Sequence, residues 1–215
     1  MNQEILTPVL DWLDLIGIGI FALTGALVAA REQQTFVTMG FFALVTGVGG
    51  GTVRDLLIGA PVFWIGHPWV AAVCLGTALL TWFTPTRWWD GKLLDFADGL
   101  GLTAYAVIGA AKALSYGVPP VPAILMGVVT GTVGGIIRDM IAGRPSIIMR
   151  PELYVTAAAL SATLAVVGEV AGELVAIPRE VVWVVAVIAG YALRSAAIYW
   201  KLALPAYRDP LARKE

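Results

Sequence analysis

Charge is what this chain has least of. Only 13% of its 215 residues are Asp, Glu, Lys or Arg, against 59% apolar. Soluble domains run near a quarter charged and under half apolar, so the scarcity excludes a soluble globular fold and implies an integral membrane protein. The net charge of −1, with no basic patch, leaves nothing for a nucleic-acid partner to bind. A single cysteine, Cys74, sits inside an apolar stretch, which excludes an intramolecular disulfide and fits a small buried side chain. The single histidine, His67, lies in a Gly-His-Pro loop with no second His or Cys nearby, so no metal site is expected there. No nucleophile–base–orienter set appears, and the metal or paired-aspartate signature of intramembrane proteolysis is missing; no enzymatic activity and no cofactor are expected. A cleavable signal peptide is not evident either. The first ten residues hold Glu4 and no basic residue, and the first apolar run is long enough to span.

What the chain has instead is apolar sequence in long runs. A helix crossing ~30 Å of hydrocarbon needs roughly 20 residues. Seven candidates fit, at about 10–30, 36–58, 68–84, 93–114, 120–142, 151–170 and 180–203. Pro61, Pro68, Pro85, the Pro119-Pro120-Val121-Pro122 cluster, Pro145, Pro151 and Pro178 fall between spans or at their ends, where proline is tolerated. Trp12, Trp64, Trp69, Trp82, Trp88, Trp89, Trp183 and Trp200 lie near span ends, as an interfacial belt requires. Seven crossings put Arg31, Arg87, Lys92, Arg144, Arg150, Lys201, Arg208, Arg213 and Lys214 on one side, and only Lys112 and Arg179 on the other. That bias predicts an outside amino terminus and a cytoplasmic carboxyl terminus, with Asp11, Asp14, Glu169 and Glu173 on the outer side.

Residues 11–83 recur 84 positions later without insertion or deletion. Thr46-Gly47-Val48-Gly49-Gly50-Gly51-Thr52-Val53-Arg54-Asp55 returns as Thr130-Gly131-Thr132-Val133-Gly134-Gly135-Ile136-Ile137-Arg138-Asp139, and the same offset pairs Asp11 with Asp95, Asp14 with Asp98, and Gly25 with Gly109. Three crossings per copy force the second copy to enter from the opposite face, so the repeat has inverted topology, a signature of many transport proteins. The reading is an all-α membrane protein of one domain, 1–215: repeat one at about 10–84, repeat two at about 93–170, and an unpaired seventh helix at about 180–203.

Spans 2 and 5 carry the chemistry. Gly49-Gly50-Gly51 and Gly134-Gly135 sit mid-span. Each helix-interior glycine costs up to ~1 kcal/mol, and a run of them invites a kink or an unwound turn, unless it serves close helix packing. Arg54-Asp55 and Arg138-Asp139 follow inside the spans. A charge at the helix centre costs at least ~2.5 kcal/mol, so it must face a partner, the bundle interior or water. Adjacent helical residues point about 100° apart, which argues against Arg54 pairing with Asp55 and for pairing across the pseudo-twofold, Arg54 with Asp139 and Arg138 with Asp55. Asp14 and Asp98 are further candidates for partners. A break at the glycines would place each aspartate near a new helix amino terminus, where negative charge is favoured. A purely structural ion-pair network remains the alternative. Gly17, Gly19, Ala22, Gly25 and Ala29 of span 1, with Gly101, Ala106, Gly109 and Ala113 of span 4, read as packing faces within or between subunits. Lys112 reads as a snorkelling residue near a span end, and Arg194 as an internal pair or a subunit contact.

Two Gly-Gly-x-x-Arg-Asp motifs in a seven-span chain of this length resemble the prokaryotic members of the trimeric intracellular cation channel (TRIC) family, over about residues 5–203. The resemblance implies a homotrimer in a bacterial or archaeal inner (plasma) membrane, surrounded by lipid, with an hourglass pore in each subunit between kinked second and fifth helices. It implies potassium-permeable, monovalent cation conduction. Carried over, the kinks fall at Gly49, Gly50, Gly51, Gly134 and Gly135 and the basic pore residues at Arg54 and Arg138; from the charge pattern itself, Asp55, Asp139, Asp14 and Asp98 are expected along the same ion pathway. No resident metal is implied beyond transient potassium. The Lys-Glu-Val phosphoinositide motif of animal members is not evident. The same sequence class is also described as a glycine transporter domain, and a paired arginine and aspartate suit a zwitterion. Arginines alone in a narrow pore repel cations, so the residues by themselves do not name a cation channel.

Overall fold

The computed structural model describes residues 3–89, 92–149, 152–175 and 177–205, the side chains of 3–13, 93 and 173–175 excepted. Expectations placed on the side chains of Asp11, Trp12, Glu173, Arg150, Arg208, Arg213 and Lys214 lie outside the described residues. The described chain forms seven α-helices: α1 (Gln3–Arg31), α2 (Phe36–Leu57), α3 (Pro68–Phe83), α4 (Lys92–Ser115), α5 (Pro120–Ile141), α6 (Val155–Val175) and α7 (Arg179–Trp200), with short 3₁₀ turns at Thr86–Trp89 and Ile147–Met149. Proline opens α3 and α5 in the first turn, where its missing N–H costs nothing. Thr35 caps α2 by accepting from the Thr38 amide at 3.3 Å.

Six of these helices are long and apolar enough to cross a membrane. The third is shorter than the span predicted for it, 16 residues, or about 24 Å at 1.5 Å per residue. The sixth starts at Val155 rather than 151, because Glu152 is held in extended backbone by an antiparallel bridge to Ala203.

Among the described residues three apolar clusters form: one from α1, α2 and α3 around Ile18, Phe42, Cys74 and Ala78, one from α4, α5 and α6 around Leu102, Ala106, Ala123 and Ala157, and a smaller one where Val107, Ala165 and Ala186 join α4, α6 and α7. Cys74 is fully buried in the first, as expected of a small apolar side chain. The halves meet where α2 crosses α5, and α7 lies against α4 and α6.

The crossing corrects one part of the expectation for the glycines, the unwound turn. Both α2 and α5 remain α-helical through their glycines, with no unwound turn. The missing side chains serve contact instead. A Cβ on Gly50 would lie 2.1 Å from the Thr130 carbonyl oxygen and one on Gly134 would lie 2.4 Å from that of Thr46, whereas one on Gly49 would meet the Gly134 Cα at an ordinary contact distance of 3.4 Å. Rising numbers on α2 meet falling numbers on α5, so the two helices are antiparallel here. Gly25 and Gly109 do the same for α1 against α2 and α4 against α5, where a Cβ would lie 2.5 Å from Thr46 Oγ1 and 2.3 Å from Thr130 Oγ1. In a membrane, where lipid is as apolar as the protein, such close backbone approach is what makes helix association favourable. The small residues Gly25 and Gly109 therefore pack within the subunit.

Candidate functional site

Each Arg-Asp pair sits in the last turns of its helix, and the helix end explains its geometry. Gly59 (φ +69°) and Gly143 (φ +63°) adopt the left-handed conformation just past α2 and α5. The Ala60 amide returns to the Asp55 carbonyl at 2.8 Å and the Gly59 amide to that of Leu56 at 3.4 Å; Arg144 to Asp139 at 3.0 Å and Gly143 to Met140 at 3.1 Å repeat the pattern. This is a Schellman ending, which glycine permits because it lacks a Cβ. It folds the following loop back over the helix end. Asp55 Oδ2 then accepts the Phe63 amide at 3.0 Å, and Asp139 Oδ2 accepts the Ile147 amide at 3.1 Å. Without a helix break, the aspartates lie near C-terminal carbonyls rather than a fresh amino terminus. The dipole there favours the arginines, and the loop amides compensate the carboxylates.

The pairing differs from the cross-pairing predicted above. Arg54 donates from Nε to its neighbour Asp55 Oδ1 at 2.9 Å, with Nη2 at 2.8 Å. Arg138 binds Asp139 Oδ1 in the same way, at 2.8 Å from both nitrogens. Two physical facts override the 100° argument. An arginine side chain is long enough to fold back across that angle. The antiparallel crossing also places Arg54 and Arg138 about six residues past it in opposite directions, roughly 9 Å to each side, beyond reach of each other's aspartate.

The sites differ beyond this shared frame. At the first, Lys112 Nζ reaches the same Asp55 Oδ1 at 2.8 Å, so two cations share one fully buried carboxylate. Both cations stand 6.0 Å from the centre of the Phe63 ring, which fits because a Cβ on Gly51 would come within 2.6 Å of that ring. Lys112 is therefore part of the site and not simply a snorkelling residue. The sequence signal for it was the asymmetry of the copies, since the 84-residue offset sets Lys112 against Val28. At the second site, Arg138 Nη1 donates to Thr24 Oγ1 at 2.9 Å, and Asp98 lies within electrostatic range. Asp14, the offset partner of Asp98, accepts from the Tyr105 hydroxyl at 2.9 Å.

A cavity of 660 Å³ reaches from the first site to the helix crossing. Arg54, Lys112, Asp14 and Glu180 all line it, together with Gly50, Thr130 and Gly134 of the crossing. Asp55 lies behind Arg54, while Asp98, Arg138 and Asp139 lie past the crossing. The structure thus brings Arg54 and Asp14 to one cavity, keeps Asp55 as their support, and separates them from the second pair. Charges of both signs around a largely apolar space can hold an ion or a zwitterion, and the close contact of α2 with α5 borders that space.

A family model described as "Glycine transporter" matches the chain twice, over residues 11–86 and 95–170. The chain is 34% identical over 199 residues to the inner membrane protein YadS of Escherichia coli K12, covering 91% of this chain and 95% of YadS. It is 40% identical to the TRIC trimeric intracellular cation channel orthologue from Rhodobacter sphaeroides, whose crystal structure superposes with a TM-score of 0.81 over 90% of this chain and 99% of that one. A second TRIC cation channel structure, 28% identical, gives a TM-score of 0.80 over 94% of this chain and 98% of its own.

Proposed function

The chain is a multi-pass membrane protein of the trimeric intracellular cation channel family, and from that premise we propose that it is a passive, potassium-permeable channel for monovalent cations. The observation that carries the reading is the likeness to the Rhodobacter sphaeroides channel, 40% identity along nine-tenths of this chain. It works as a homotrimer with one conduction path per subunit, formed where α2 and α5 cross. Its architecture is two inverted three-helix repeats plus α7, with the amino terminus outside and the carboxyl terminus in the cytoplasm. The relatives are channels and membrane proteins, which supports a transport role over an enzymatic one.

The charge geometry supports cation passage despite the arginines. Each guanidinium is paired with its adjacent aspartate, and at the first site, where Lys112 shares Asp55, the carboxylates of Asp14 and Glu180 on the same cavity offset the remaining charge. Asp14 and Glu180 supply negative potential along the cavity. Conduction then requires α2 and α5 to part at Gly50 and Gly134, and the contact between them is the closed constriction. A cavity lined by Arg54, Lys112, Asp14 and Glu180 also suits a zwitterion, its carboxylate held by the cations and its ammonium by the carboxylates, which keeps glycine transport as a second reading. Purified protein in planar bilayers distinguishes the two. A channel gives unitary current steps with no saturable uptake of labelled glycine. Silent bilayers with saturable glycine uptake in proteoliposomes would replace the channel reading by the transporter one.

A further inference from the structure

The seventh helix has no counterpart in the offset repeat, yet it delivers a buried charge to the second site. Arg194 is 3% exposed. Its stem lies where a Cβ on Gly99 would come within 2.9 Å of its Cγ, directly beside Asp98. Its Nη1 donates to Glu152 Oε2 at 3.0 Å, and its guanidinium stands 5.1 Å from the centre of the Tyr154 ring. Its Nε is buried without a partner among the described residues. Asp98, next in the chain to Gly99, lies in the electrostatic field of Arg138, Arg194, the Tyr154 hydroxyl and the like-charged Asp95. The first half of the chain has none of this, because the offset positions of Gly99, Glu152 and Tyr154 are Leu15, Pro68 and Val70.

We infer that Arg194 is a positioning residue for the Arg138 site: α7 inserts it beside Gly99 so that Asp98 is shared between two arginines, and α7 thereby sets the net charge a cation meets at that end of the path. The inference rests on the channel reading for its electrical consequence, but its geometric half stands without it. A guanidinium beside a carboxylate in a medium of low dielectric is far more strongly felt than in water. Removing it leaves Arg138 as the one arginine acting on Asp98 and makes that end more negative by one charge. Cations entering from that end are then concentrated, and those entering from the other end are not.

Current–voltage curves in low and high potassium chloride test this. Arg194→Gln is expected to change the ratio of currents at equal and opposite voltages by at least about twofold in low salt, with the difference shrinking in high salt as charges are screened. Arg194→Lys keeps the charge and should restore the ratio. Glu152→Gln, which removes the neutralising carboxylate, should shift the ratio the opposite way, and it carries the test if Arg194→Gln does not assemble. Unchanged ratios in these variants, with a conducting wild type, overturn the inference. A silent wild type would instead count against the channel reading, and the thermal midpoint in detergent then decides the link between residues. There the Arg194→Gln/Asp98→Asn double variant should lose less than the two single variants together, and strict additivity would overturn the inference.

Discussion

Alanine at Gly50 is expected to destabilise the protein by about 3 kcal/mol or more, although alanine is the better helix former by about 1 kcal/mol. The added carbon would lie 2.1 Å from the Thr130 carbonyl oxygen, a backbone atom that cannot rotate away, so α2 and α5 must separate along the crossing. Gly134→Ala should act alike, through the Thr46 carbonyl at 2.4 Å. The neighbour Gly49 is the control. Its Cβ would meet its nearest atom at 3.4 Å, and one on Gly76 would meet nothing within 4 Å, so alanine at either site should be neutral or stabilising. Thermal midpoints in detergent check the contrast. Equal midpoints for the Gly50 and Gly49 variants would show that the glycines serve bending and not contact.

Asp55→Asn should cost about 3–5 kcal/mol, the range for removing one member of a buried ion pair. The carboxylate is fully buried and binds Arg54, Lys112 and the Phe63 amide, so its loss leaves two cations facing each other over one aromatic ring. Lys112→Met should cost less, because Lys112 is partly exposed and Arg54 still holds the aspartate. In a double-mutant cycle, Arg54 and Asp55 should be strongly coupled, while Arg54 and Asp139 should be additive. Coupling of the second pair would revive pairing across the crossing.

The helices were legible in the sequence because their ends are written in proline and glycine and their interiors in apolar runs. The charged sites were half legible. The offset identified Arg54, Asp55, Arg138 and Asp139, but a single chain of letters does not say which helix lies opposite a glycine, so the run at Gly49–Gly51 read as a break rather than a crossing. Adjacent-residue angles also underestimated how far an arginine folds back. The informative positions proved to be those where the copies disagree. Lys112 stands against Val28, Thr24 against Ile108, and Tyr154 against Val70, and each difference marks a contact that one charged site has and the other lacks.

The reversal potential of purified protein in a planar bilayer under a potassium chloride gradient tests the central claim most directly. The account predicts unitary currents that reverse near the potassium equilibrium potential, because each arginine is paired with its own aspartate and Asp14 and Glu180 offset the charge of Lys112. Reversal near the chloride potential would contradict it and make Arg54 and Arg138 an anion filter.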